Sequence, residues 1–345
     1  MKKKLLILIT ILALALTAMT ACGDSQKETP KEPESVAADP VDVRVMALKG
    51  PTAMGMVQMM DQNDQGKLTD NRYTFTIAAA PDEVTAAVGK GEVDIAAVPA
   101  NLASVLYNNL EGNVQVVAVN TLGVLYLCEN GDSVQSVEDL RGKTIYASGK
   151  GATPEYALNY VLTENGIDPA ADVTIEWKAE HAECLSALLA DPNGVALLPQ
   201  PFVTSAQTQQ PSVQVALDLN DAWNAIQKEK GEDSSLLTGV LIVRKEFAEA
   251  NPQAVEVFLA NYQTSVDFVN ENVADAAQLV EQYDIVPAAV AEKAIPACHI
   301  VCMTGEEMKA ALSGYLSILF GQEPKAVGGA LPEEDFYYVG AASAQ

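Results

Sequence analysis

The chain of 345 residues carries 46 acidic against 21 basic side chains, a formal net charge of −25. A field of that sign repels phosphate backbones and anionic head groups, which excludes nucleic acid as a partner. The length exceeds what one hydrophobic core usually serves, so two lobes are expected.

At the amino terminus Lys2, Lys3 and Lys4 precede an uncharged apolar run from Leu5 to Leu16 and a small-residue stretch from Thr17 to Cys22. That is the pattern of a secretory signal peptide. The run falls short of the roughly 20 residues that span hydrocarbon as a helix. Met19-Thr20-Ala21-Cys22 resembles a bacterial lipobox, with Met where Leu is usual. The resemblance implies cleavage before Cys22 and lipidation of that cysteine, palmitate included, on an extracytoplasmic chain held at the cell membrane. Residues 1–21 hold three lysines and no acid, so the mature chain is more acidic still. From Gly23 to Pro40 the sequence is rich in Pro, Glu, Lys and Ser and has no apolar periodicity. It reads as a disordered tether with an end-to-end distance of roughly 20–25 Å.

The folded body opens with a strand at Val41–Leu48, broken by Gly50-Pro51-Thr52. A helix with Met54, Val57 and Met60 at helical spacing follows. Next come a strand over 73–80, a helix over 82–90, a strand over 93–98 and a helix over 101–109. Alternation at this spacing predicts α/β structure on a parallel sheet. The apolar segment from Val114 to Cys128 has Gly123 in its middle, which suits a bend or crossing. Ser136 and Asp139 form a capping pair, and Gly142 precedes a strand starting at Lys143. A second round runs through the loop Ser148 to Glu155, a helix past Leu162, a strand over 173–177, a helix over 182–190 and the run Gly194 to Pro201. After Asp221 about a dozen residues are polar, then a strand resumes at Gly239–Val243. Helices are predicted over 252–270, 273–283, 287–295 and 305–320.

Three loops follow an apolar strand and precede a helix: Leu48 to Thr52, Val98 to Asn101, and Ser148 to Thr153. Helix amino termini present unpaired N–H groups at such a rim, which favours an acceptor-rich or anionic group. Lys49 and Lys150 stand in two of these loops, one per predicted lobe. They either converge across a cleft or remain solvated loop residues. Met54, nearest the first loop in a dense methionine group, is a candidate ligand contact; Tyr126 and Trp223 either stack on a ligand or pack. Gly149-Lys150-Gly151 fits neither the phosphate-loop nor the dinucleotide pattern. His181 and His299 are far apart, and Cys298, His299 and Cys302 make one cluster where a zinc site needs two. That cluster reads as a packed helix end or a local disulfide, and Cys128 and Cys184 as free buried thiols. No metal, cofactor or catalytic residue is assigned.

In this order the elements resemble the solute-binding proteins of bacterial ABC importers, in the group of the nitrate, sulfonate, taurine and thiamine-pyrimidine binders. The resemblance covers about Val43 to Phe320. It is carried by Leu48-Lys49-Gly50-Pro51-Thr52, Gly91-Glu92-Val93-Asp94-Ile95-Ala96, Asp139-Leu140 with Gly142-Lys143, and Leu198-Pro199-Gln200-Pro201-Phe202. It implies an α/β fold of the type II periplasmic-binding-protein kind, two lobes on a two-strand hinge with a ligand cleft between them. The first lobe would be 41–124 with 237–345, the second 125–236. The ligand loops would fall on Lys49, Gly50, Pro51 and Thr52; on Pro99 to Asn101; on Thr121; on Gly149, Lys150, Gly151, Ala152 and Thr153; and on Gln200 and Pro201. The chain would be a monomer, not an enzyme, that closes on a small organic solute, anionic or heterocyclic, and delivers it to permease and ATPase subunits. These loops lack arginine, whose fixed fork suits a sulfonate. The rival readings are a cytoplasmic-type enzyme on the same fold and a sensory module.

Overall fold

The computed structural model describes residues 40–338 and Gly340, so Cys22, the signal segment and the tether up to residue 39 lie outside the described residues. Strand β1 (Val41–Leu48) alternates buried and open positions, and Gly50 at φ +128 turns it into a short helix α1 (Pro51–Met54). The single helix expected here is two, because the chain breaks at Gly55 before α2 (Val57–Asp64). A side chain at Gly55 would stand 2.6 Å from the Tyr262 hydroxyl. β2 (Asn71–Ala78), α3 (Pro81–Gly89), β3 (Ile95–Pro99) and α4 (Ala100–Asn109) complete the first round.

The long apolar segment divides at Gly123. β4 (Val114–Leu122) belongs to one sheet and β5 (Leu125–Glu129) to the other, so Gly123 and Val124 form a crossing. A glycine is required, since a Cβ there would meet the Leu236 side chain at 2.8 Å. The Ser136–Asp139 capping box forms as expected on a short 3₁₀ turn. The second round is β6 (Thr144–Ser148), α5 (Thr153–Glu164), β7 (Thr174–Lys178), α6 (His181–Ala190), β8 (Val195–Pro199), α7 (Phe202–Gln209) and β9 (Gln214–Asp218).

The polar dozen residues after Asp221 fall mostly in a helix, α8 (Leu219–Lys230), not in a loop. Its apolar stripe is narrow: Leu219, Trp223, Ile226 and the Gln227 side chain are buried, while Asp218 caps the first turn and Gly231 ends the last in the left-handed conformation. β10 (Leu237–Arg244) then re-enters the first sheet. After it come α9 (Lys245–Ala250), α10 (Pro252–Glu271), α11 (Val273–Gln282), α12 (Ala288–Ala294), the unforeseen edge strand β11 (Ile300–Met303) and α13 (Gly305–Gln322).

The sheets are mixed where the alternation predicted parallel ones. The first has order β11-β4-β10-β3-β1-β2 and the second β7-β6-β8-β5-β9. Each holds three parallel strands, β2-β1-β3 and β7-β6-β8, beside an antiparallel strand that arrives from the other half of the molecule, β10 and β5 respectively. The two rounds are thus built on one plan, and each strand from the opposite half completes its sheet.

Helix α13 packs against β4 of the first sheet and against α5 of the second round. Tyr315, fully buried on it, lies 5.9 Å ring to ring from Trp223, and Trp223 packs tilted against Tyr160 of α5 at 4.3 Å. Trp223 is therefore a packing residue, with Nε1 donating to the Ser234 hydroxyl. Met54 is also fully buried, in the core between the first sheet and α10. Cys128, Cys184, Cys298 and Cys302 are all free thiols, so the local disulfide is absent; Cys298 caps a short 3₁₀ turn and Cys302 lies on β11. Among the described residues no helix is long and apolar enough to cross a membrane.

Candidate functional site

The parallel strands of each sheet end in the loops singled out from the sequence. On the second sheet β6 ends at Ser148, and Gly149 (φ +83) and Gly151 (φ +78) carry the chain into α5. Only glycine suits position 149, since a Cβ there would stand 2.8 Å from Pro154. Lys150, between the two glycines, is exposed and makes no ion pair among the described residues. The Gly151 amide donates to the Glu155 carboxylate at 2.6 Å, while Ala152 is the N-cap and Thr153 the first residue of α5. Thr153 is turned towards α13, its hydroxyl 3.0 Å from that of Tyr315.

Parallel pairing sets Ser148 opposite Lys178, which brings the start of α6 beside the end of β6. Ser148, 3% exposed, places its hydroxyl 2.6 Å from Nδ1 of His181. Burial pulls the His181 imidazole below its ordinary value, against the neighbouring Glu180 carboxylate, so the ring is neutral at physiological pH. The Phe202 ring lies 5.7 Å from it. Ser148, Gly149, Glu180, His181, Ala182 and Phe202 border a concavity of about 470 Å³. Two residues before Phe202, the buried Gln200 accepts at its side-chain oxygen from the amide and hydroxyl of Thr204, and its backbone amide donates to Val124 O in the crossing; Pro201 follows through a cis peptide bond.

On the first sheet the Thr52 hydroxyl turns back to Leu48 O at 2.7 Å, which fixes the Lys49-Gly50-Pro51 loop. Lys49 points its ammonium at Asp284, 3.3 Å away. Asn101 donates to Ala326 O in the carboxyl-terminal segment. Below this rim Asn120 donates to Thr52 O, while its Oδ1 and the Thr121 hydroxyl are buried without a hydrogen-bond partner. Gly239 of β10 presses on this group: a Cβ would meet Asn120 Oδ1 and Thr52 Cγ2, both at 2.5 Å.

The loops 149–153 and Gln200-Pro201 therefore gather at one end of the second sheet, and Lys49 to Thr52 with Thr121 at the first. The halves also touch beside the crossing, where the Tyr126 hydroxyl donates to Ala297 O and α7 meets α12. Sequence reasoning kept Ser148 only as the start of its loop and Phe202 only as part of the Leu198 to Phe202 motif, set His181 aside as an isolated histidine, and passed over Asn120. The signal for His181 was its place between a strand and a helix, the same rule that selected the other loops.

Every arginine of the chain is engaged elsewhere. Arg44 and Arg244 share the buried carboxylate of Asp94, Arg72 pairs with Asp42, and Arg141 with Glu138 and Asp172. Donors at the concavity are thus a serine, a neutral histidine and helix N–H groups, with Lys150 as the adjacent cation.

A doubly wound pair of sheets with donor-rich loops at the strand ends is the architecture of a hinged receptor. Residues 66–294 match the family model described as the periplasmic phosphonate-binding protein of ABC transporters. The chain belongs to that family. Its fold is shared by an ABC transporter protein from Parabacteroides distasonis (TM-score 0.71, 22% identity, 87% of this chain and 99% of that one). It is shared too by the aliphatic sulphonate binding protein SsuA of Escherichia coli (0.67, 15%, 88% and 94%). A third likeness is to the nitrate-binding protein NrtA of Synechocystis PCC 6803 (0.55, 11%, 86% and 84%). No curated protein matches the chain in sequence. As a family member this ABC substrate-binding protein works outside the cytoplasm, where it captures a small solute for an importer.

Proposed function

We propose that the protein is a monomeric, non-enzymatic receptor anchored by lipid at Cys22, and that its lobes, 41–124 with 237–345 and 125–236, close over a small organic solute. The observation that carries this reading is the concavity at the ends of β6, β7 and β8, where the part-buried Ser148–His181 pair meets the first turn of α6. An acceptor group of the solute would seat on Ser148, His181 and the free N–H groups of α6, and a flat or apolar portion would lie on Phe202. The loops with Lys49, Gly50, Pro51 and Thr52, and with Asn101 and Thr121, would close from the other side, and Lys150 would add charge at the edge. Solute favours the closed form only by as much as it binds that form better, and the permease would read that form. The lack of a free arginine disfavours a doubly charged oxyanion.

The enzyme reading finds its best support in the same Ser–His pair. The geometry favours binding, because the serine engages Nδ1 where the general-base arrangement uses Nε2 with an acid behind Nδ1.

The test is calorimetric titration of the full chain against phosphonates, sulfonates, carboxylates and neutral heterocycles, with mass spectrometry of the recovered solute. One class should bind, return unchanged, and bind at least tenfold more weakly to Ser148→Ala and His181→Ala. Unaltered affinity in both variants rejects the site, and a chemically altered solute rejects the receptor reading. Cys22→Ser should release the protein from membranes.

A further inference from the structure

We propose that His299 is a proton-operated pin across the hinge, tying the first segment that joins the sheets to the end of β9 in the second sheet when a proton lies between it and Asp218. This rests on reading the segments that join the sheets, 122–124 and 231–236, as a hinge. His299 precedes β11 with φ +45, a left-handed backbone uncommon for a side-chain-bearing residue. Its surroundings hold it there. The His299 carbonyl accepts from the Leu122 amide at 3.1 Å, and ring Nδ1 lies 2.5 Å from Gly123 O, so both contacts fall on the first crossing. On the other edge of the ring Nε2 stands 4.0 Å from Oδ2 of Asp218, at the end of β9 and the cap of α8. The remaining Asp218 oxygen takes the Asn220 amide at 2.8 Å.

The hydrogen-bond inventory decides what the pin does. A carbonyl oxygen only accepts, so Nδ1 must carry a hydrogen. In the neutral ring Nε2 is then a bare lone pair turned towards a carboxylate, two acceptors with nothing between them. One added proton converts this into a charge-assisted contact, whichever of the two groups holds it. Burial raises the Asp218 carboxyl, against the hydrogen bond from the Asn220 amide, so the pair takes up a proton more readily than an open carboxylate. The other groups facing the ring leave the local field negative: Asp221 of α8 stands near Asp218, while burial keeps the Tyr126 hydroxyl on β5 and the adjacent Cys298 thiol uncharged. The pin is therefore engaged at low pH and released as pH rises.

Hydrogen exchange of the solute-free full chain tests this, so a failure leaves the solute-binding reading untouched. Rates for peptides covering 120–125 and 216–221 are divided by their intrinsic rates at about pH 5.5 and about pH 8. In the native protein both peptides should exchange about fivefold more slowly at the lower pH, the scale of a partly exposed charge pair. His299→Gln keeps a donor for Gly123 O, and Asp218→Asn keeps the helix cap; each should abolish the difference while circular dichroism stays native. A pH response that survives in both variants, or corrected native rates equal at the two pH values, overturns the proposal.

Discussion

Tyr315 and Thr153 meet hydroxyl to hydroxyl at 3.0 Å, which fastens a helix that packs on the first sheet to the rim of the second. Gln322 of the same helix donates to Tyr156 O, and Gly314 lies so close to Asp233 O that a Cβ would stand at 2.5 Å. Truncation of Tyr315 to Ala would open a cavity between Trp223 and α5, at a cost of about 3–5 kcal/mol. Tyr315→Phe should cost only about 1 kcal/mol, the hydrogen bond alone. Urea unfolding followed by tryptophan fluorescence checks both; equal midpoints for the two variants would show that the ring contributes no packing.

Asp94 occupies the acidic position of the Gly91 to Ala96 motif, and its role is structural. Its carboxylate, 3% exposed, accepts from the Arg44 amide and guanidinium and from Arg244, joining β1, β3 and β10. Burial pushes the carboxyl up, but these hydrogen bonds outweigh it and leave it below the usual range. Its folded value lies under its unfolded one, so the stabilisation is full above about pH 4 and is lost as pH falls further. Asp94→Asn should cost about 2–3 kcal/mol at neutral pH, less than a sealed pair because Arg44 is partly exposed, and should flatten the acid limb of the stability curve.

His181 acts in a separate pH window. Its folded value is depressed by burial, so the unfolded chain takes up a proton first and stability declines as pH drops below about 6.5. Ser148 compounds this, since protonation adds a second ring N–H that must find an acceptor in the concavity. His181→Gln should remove the decline between about pH 6.5 and 5 and leave the Asp94 limb in place, as read from thermal midpoints across pH. A decline of the same size in the variant would assign it to another group.

Much of the strand and helix order was legible because glycine and proline punctuate short apolar runs. The missed elements share a physical cause. Helix α8 shows its period only through Leu219, Trp223 and Ile226, with lysines and acids filling the remaining faces, and β11 is a four-residue edge. The loop at 149–153 was visible as a strand end, while 200–201 came only from the family resemblance. Ser148 and His181 were not seen as a pair, because 33 residues separate them and only the β6–β7 register unites them. Asn120 was hidden for a similar reason: the irregular pairing of β4 with β10 sets where its side chain lies against Gly239.

That irregularity makes Gly239 the most sensitive position near the first rim. Gly239→Ala would drive a methyl group against both Asn120 Oδ1 and Thr52 Cγ2. Thr52 in turn holds the Lys49 loop through Leu48 O. Overpacking of this kind costs about 1–3 kcal/mol. The variant should fold with a lowered urea midpoint and, if the Lys49 loop closes on solute, bind it more weakly. A native midpoint would mean that β10 shifts freely, contrary to its pairing with strands on both sides.

The thiols provide the last expectation. Burial pushes Cys128, Cys298 and Cys302 up to about 12, so at pH 8 each is almost wholly protonated, and only the thiolate attacks a disulfide reagent. Cys184 shifts in the same direction for the same reason. The native protein should therefore react slowly with an aromatic disulfide reagent at these positions, and unfolding should release all four as titratable thiols. Recovery of two fewer after unfolding without reductant would reveal a Cys298–Cys302 bridge and overturn the free-thiol assignment. Fast native labelling at Cys302, the least buried of the four, would place β11 in frequent local opening, beside the same His299 that precedes it.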